Sequence, residues 1–242
     1  NAVIKSGSNN SQDLFYSIDG ANEKQNYFVG INYYKTDGIS AMNNDNENDP
    51  YENKHLNANY GYNISENNII ENYLTIKDSY LKYDEPTNGR DDTKNSSDNF
   101  EAHYNLKFIN TNNKSKNTFN FNKSFSSRMV TKFNSKQQTY EGFKNMFTYL
   151  GEYNFNLDNK IVYGADLEFF KAKYPTDPGA YKTHDEEIHS QYFDYQFRPY
   201  ENIFATIGGR NDRHTLSGDE QSYRITGAYS LGGNSKIRSS YG

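Results

Sequence analysis

Residues 160–173 read KIVYGADLEFFKAK, and the reading of this stretch decides the fold. In an extended chain, successive side chains point to opposite faces. Ile161, Tyr163, Ala165, Leu167 and Phe169 then share one face, and Val162, Gly164, Asp166, Glu168 and Phe170 share the other. The first row is apolar from end to end, while the second carries two carboxylates in its middle. The run also exceeds the roughly five or six residues usual for a strand of a water-soluble domain.

The same alternation recurs along the chain. In 56–64, Leu56, Ala58, Tyr60, Tyr62 and Ile64 alternate with Asn57, Asn59, Gly61 and Asn63. In 100–109, Phe100, Ala102, Tyr104, Leu106 and Phe108 alternate with Glu101, His103, Asn105 and Lys107. Phe119, Phe121 and Phe125 continue the theme, with Lys123 breaking their row. Period two dominates and no sustained 3.6-residue pattern occurs, so we expect about twelve strands and no helix of consequence. Composition agrees. Low mean hydropathy alone would suggest disorder, but 23 Tyr and 16 Phe suit a pleated surface, and the abundant Asn suits tight turns. The absence of Cys excludes disulfides and thiolate metal sites. No apolar run reaches the ~18 residues of a membrane helix. A net charge of -5 gives no reason to expect a nucleic-acid partner.

The connections separate two kinds of β protein. Short polar links at 20–25, 65–68, 110–116, 156–159, 198–202 and 231–234 alternate with long ones at 36–50, 84–98, 127–140, 174–187 and 213–221. A soluble sheet with one wet face shares the period-two pattern, but it has no reason to gather its tight turns at one end. An all-β, antiparallel, up-and-down transmembrane barrel does. A tilted strand of ~9–11 residues crosses the hydrocarbon layer, its outer face apolar and its inner face hydrated. Asp166 and Glu168 then point into the lumen.

The C-terminal third carries a resemblance. IGGRND (207–212) and SYRITGAYSLGGNSKIRSSYG (222–242) resemble TonB-dependent outer-membrane receptors, in which a strand ending G-x-R-x-D is followed by a hairpin whose second strand reads like K-x-R-x-S-Y-G. NYFVGINYYKTDGISAMNNDNEND (26–49) is similar to that family's early barrel, and the order of strands and loops is most similar to its cobalamin receptors. The resemblance implies that 1–242 is one internal segment of a 22-stranded barrel, open or incompletely closed by itself, with the plug domain and terminal strands elsewhere. It implies energy-coupled uptake of a scarce, bulky nutrient (cobalamin, a siderophore or haem) across a Gram-negative outer membrane. The partners would be outer-membrane lipid, the plug and a TonB-type energy transducer. A passive porin is the alternative. An outer-membrane hydrolase is a third reading, but His103 is the one histidine that falls within a strand core, and no companion motif accompanies it.

Candidate sites follow. Arg210, Asp212, Arg224 and Arg238 fall on polar faces, like Asp166 and Glu168. An arginine facing lipid at mid-depth costs roughly 2–4 kcal/mol, so these residues belong inside. Asp45, Glu47 and Asp49 alternate with asparagines, and the next long loop offers Asp84, Glu85, Asp91 and Asp92. Calcium takes six to eight such oxygens, and the likeness to cobalamin receptors implies calcium here, against the plain alternative of a solvated acidic loop. In KYPTDPGAY (173–181), Tyr174 and Tyr181 would either clasp a flat ligand or join the aromatic girdle at the headgroup boundary. THDEEIH (183–189) spaces His184 and His189 five apart, which fails the helical zinc motif H-E-x-x-H.

Overall fold

The computed structural model describes residues 1–40, 48–84, 95–132, 136–176, 180–233 and 235–242. They form thirteen strands: β1 Ala2–Gly7, β2 Ser11–Ala21, β3 Gln25–Thr36, β4 Tyr51–Ser65, β5 Asn68–Lys82, β6 Ser96–Thr111, β7 Ser115–Lys132, β8 Lys136–Asn154, β9 Asn159–Pro175, β10 Tyr181–Tyr200, β11 Ile203–His214, β12 Gly218–Gly232 and β13 Ser235–Tyr241. Each strand pairs antiparallel with the next, in chain order, within one sheet. Among the described residues β1 and β13 do not pair, so the sheet is an open, up-and-down wall. The strand beyond the expected twelve is β1. It joins β2 through Asn9 and Asn10, whose φ angles of 52° and 53° suit the tight hairpin turns that favour asparagine.

The connections at one end are all short, as the sequence suggests, and asparagine builds several of them; short turns at 8–10 and 215–217 also occur at the other end. Asn22 Oδ1 accepts from the backbone of Lys24 and Gln25, both at 2.9 Å. Asn112 repeats the arrangement with Lys114 and Ser115 at 3.3 and 3.0 Å, and Asn156 with Asp158 at 2.9 Å. A side chain that mimics a backbone turn closes each hairpin locally.

The other end departs from expectation. Of the five long polar stretches, three are largely strand. The ladder between β7 and β8 continues to Lys132 opposite Lys136, that between β9 and β10 to Pro175 opposite Tyr181, and that between β11 and β12 to His214 opposite Gly218. Strands β7 to β10 contain 17–20 residues, well beyond the ~9–11 that a bilayer crossing requires. Hydropathy falls there because the outward side chains turn charged, not because pairing stops. Lys173 meets Glu141 at 3.3 Å and Lys171 meets Asp185 at 3.5 Å on these upper segments.

Register sorts the side chains into two faces. Phe121, Phe147 and Leu167 are paired neighbours across β7, β8 and β9, as are Phe119, Tyr149 and Ala165. Ring centroids lie 4.7 Å apart for Phe121 and Phe147 and 4.8 Å for Phe119 and Tyr149. These rings stay open to the surroundings: Phe119 and Phe147 are each 48 % exposed. The opposite face is polar and more crowded. Ser17, Ser79, Ser97, Val130, Asp166 and Ser190 are buried in their strands, and all six lie on it. Side chains converge on the concave side of a curved sheet, so the polar face is the inner one. Val130 is the sole buried hydrophobic residue among those described. Among the described residues there is one sheet layer and no dry interior, unlike a two-layer sandwich.

Candidate functional site

The inner face of β8 to β12 carries the densest polar chemistry. Arg210 Nε donates to both oxygens of Asp212, at 3.0 and 2.9 Å, and its Nη1 lies 3.7 Å from Asp166 Oδ2. Ser190 Oγ donates a short hydrogen bond to Asp212. Tyr192 lies beneath the guanidinium, its ring centroid 5.3 Å from Arg210 Cζ. Arg224 Nη2 donates to Asp194 Oδ1 at 2.9 Å, and Lys144 Nζ meets Glu168 at 2.7 Å.

Two glycines make this packing feasible. A Cβ at Gly164 would fall 2.5 Å from the Tyr192 phenol carbon, and one at Gly208 would collide with Asp194 Oδ1. The missing side chains on β9 and β11 are therefore what lets Tyr192 and Asp194 of β10 lie flat across their neighbours. The sequence shows these glycines only as gaps on the polar rows. Their partners appear once the register is known.

A second group stands higher, towards the far ends of β7 to β10. Arg128 pairs across with Asn99 and Tyr140. Tyr174 pairs with Lys182. Tyr140 and Tyr174 follow one step beyond the last matched residues of β8 and β9, Glu141 and Lys173. Arg128, Tyr140, Tyr174 and Lys182 thus form a transverse row on the inner face. Sequence reasoning missed Arg128, Tyr140 and Lys182 because 127–140 and 174–187 read as loops. The signal that finds them is the period-two alternation, which continues through Tyr140 and Gly142, and through Ala172 and Tyr174, after hydropathy has faded.

The residues singled out from sequence are placed as follows. Arg210, Asp212, Arg224, Asp166 and Glu168 share the inner face and are all ion-paired. Arg238 shares it too, opposite Ala228, but stands exposed on the edge strand β13. Tyr174 and Tyr181 are strand residues, not loop tips, and they point to opposite faces. Tyr174 joins the inner row, while Tyr181 lies outside with Lys173 Nζ 4.9 Å from its ring. Asp45, Glu47, Asp91 and Asp92 lie outside the described residues, as does Glu85. Asp49 and Asp84 are described, and no cluster of three potential ligands forms among the described residues. His184 and His214, read as loop residues, lie in β10 and β11. His184 and His189, five apart on one strand, face opposite ways, so they cannot share a metal. His103 Nδ1 lies 3.0 Å from Ser124 Oγ, and among the described residues no carboxylate bonds the other ring nitrogen to complete a triad.

No family model and no curated protein matches the sequence. Solved structures match in shape with little sequence identity. The siderophore receptor PirA of Acinetobacter baumannii superposes with a TM-score of 0.72 over 99% of this chain and 41% of its own, at 11% identity. A variant of the ferric enterobactin receptor PfeA of Pseudomonas aeruginosa gives 0.70 over 94% of this chain and 40% of its own, at 14% identity. The RagAB peptide importer gives 0.67 over 90% and 34%, at 11% identity. The chain spans about two-fifths or less of the length of these proteins. Its fold is that of a stretch of wall from an outer-membrane receptor barrel.

Proposed function

We propose that this chain forms part of the wall of a TonB-dependent receptor that imports a bulky nutrient across the outer membrane of a Gram-negative cell. One observation carries the reading: a single sheet of sequential strands has an exposed aromatic face and an ion-paired inner face. An apolar surface of that extent needs a cover, and acyl chains supply one along every strand at once. The similar structures named above are siderophore receptors and a peptide importer, which supports a bulky cargo. A siderophore is favoured over the cobalamin or haem that the sequence resemblance also allows. A plug domain fills the bore, and a TonB-type transducer drives its rearrangement; no bond is made or broken.

The test is uptake of a radiolabelled ferric siderophore by cells carrying or lacking the complete receptor, with and without a protonophore. Accumulation that needs both the receptor and the proton gradient is expected. Receptor-dependent entry that persists under the protonophore would turn the reading into a passive porin.

Calcium at the mouth belongs to the same proposal, with Asp45, Glu47, Asp49, Asp91 and Asp92 as its acids. What supports it in the described residues is Asp84, just beyond β5. Both of its carboxylate oxygens are shut from solvent and find no hydrogen-bond partner among the described residues, an arrangement that a cation would relieve. Calorimetric titration of the complete receptor with calcium should release heat; silence at millimolar ion removes the proposal.

A further inference from the structure

The transverse row on β7 to β10 presents a cation, two phenol rings and a second cation: Arg128, Tyr140, Tyr174 and Lys182. We infer that this row is a binding surface for a bulky aromatic polyanion, an inference that rests on the importer reading and specifies its cargo.

Charge balance is the first argument. Deeper on the same face, Lys107, Lys144, Lys160, Arg210 and Arg224 each hold a carboxylate. Arg128 and Lys182 hold none among the described residues, and both are exposed. Two cations with no carboxylate partner among the described residues, at the upper rim of a bore, attract anions, and the low-dielectric walls strengthen that field.

Preorganisation is the second. Arg128 Nε donates to Ser97 Oγ at 3.2 Å, and Ser97 is buried and bonded onward to Asn99 at 3.1 Å. That bond uses Nε and leaves the two terminal nitrogens without a partner among the described residues, a fork suited to paired anionic oxygens. Tyr140 and Tyr174 are 42% and 39% exposed, and neither ring has an aromatic partner among the described residues. Each offers an open face on which a planar ring can stack.

Spacing is the third. Adjacent strands lie about 4.8 Å apart, so the two cations, three strands apart, are separated by roughly 14 Å at their bases. A ligand that meets both must lie over the two rings. That requirement selects an extended body with anionic groups at its periphery and aryl surface between them, and disfavours a small inorganic anion.

The test uses the complete receptor in detergent, titrated calorimetrically with three probes: the trianionic ferric tris-complex of 2,3-dihydroxybenzamide, a neutral ferric trihydroxamate of similar size, and inorganic phosphate. The aryl complex should bind, and rising salt should weaken it. Arg128→Gln and Lys182→Gln should each lower its affinity about tenfold, the loss of one charge-assisted contact, and Tyr174→Leu should also weaken it. Lys173→Gln and Tyr181→Leu sit at the same height on the opposite face and should leave affinity unchanged. Equal affinity for the neutral complex, or unaltered binding by the two cation variants with their fold confirmed by circular dichroism, overturns the inference. Energy-dependent uptake of another cargo without binding of the aryl complex overturns it too, while leaving the importer reading intact.

Discussion

At the scale of single residues, contact across strands matters more than residue type. Gly208 is an unremarkable glycine in sequence. In the fold it is the gap that admits Asp194, which in turn holds Arg224 at 2.9 Å. Gly208→Ala should therefore displace that carboxylate and destabilise the receptor by about 1–3 kcal/mol, the usual range for overpacking. Gly227→Ala, where a new Cβ would meet nothing within 4 Å, should change stability by less than about 0.5 kcal/mol. Chemical unfolding in detergent compares the two. The chemistry of Arg210 and Asp212 was legible in sequence, because an alternating strand assigns each residue a face. The glycine–tyrosine and glycine–aspartate contacts were not, because they join residues of different strands.

At the scale of elements, the hairpins run higher than hydropathy implies. The outward row of β9 passes from Leu167 and Phe169 to Lys171 and Lys173 without losing its pairing to β10. Where a strand leaves hydrocarbon its side chains change, but the backbone ladder needs no apolar residue to persist. Single cysteines in the complete receptor check this boundary, since the native segment has none. Lys173→Cys should react with a membrane-impermeant maleimide on intact cells. Leu167→Cys should be protected, and Asp158→Cys, at a tight turn, should react only after the outer membrane is permeabilised. Labelling of all three on intact cells would overturn the assignment of faces and ends. The long polar stretches at 127–140, 174–187 and 213–221 look like loops in sequence for the same reason: a hydropathy signal stops at the bilayer surface, whereas the strand ladder continues.

At the scale of the whole molecule, the wall has two free edges. β1 and β13 leave backbone donors and acceptors unpaired among the described residues, and hydrocarbon supplies no partner for them. Residues 1–242 refolded alone into detergent should form edge-paired oligomers, whereas the complete receptor should migrate as a heat-modifiable monomer on unheated gels; a heat-modifiable monomer from the segment alone would show that the edges close on each other. Period two in KIVYGADLEFFKAK and its repeats was sufficient for strands, for two faces of opposite character and for an end marked by asparagine turns. Each of those properties is local, fixed by steric preference and by the alternation of side chains along one strand. Only the tertiary structure decided that Arg128, Tyr140, Tyr174 and Lys182 stand in one row and that Tyr181 does not join them. Those neighbours are chosen by the hydrogen-bond register between strands, and a shift of one residue would send every side chain to the other face.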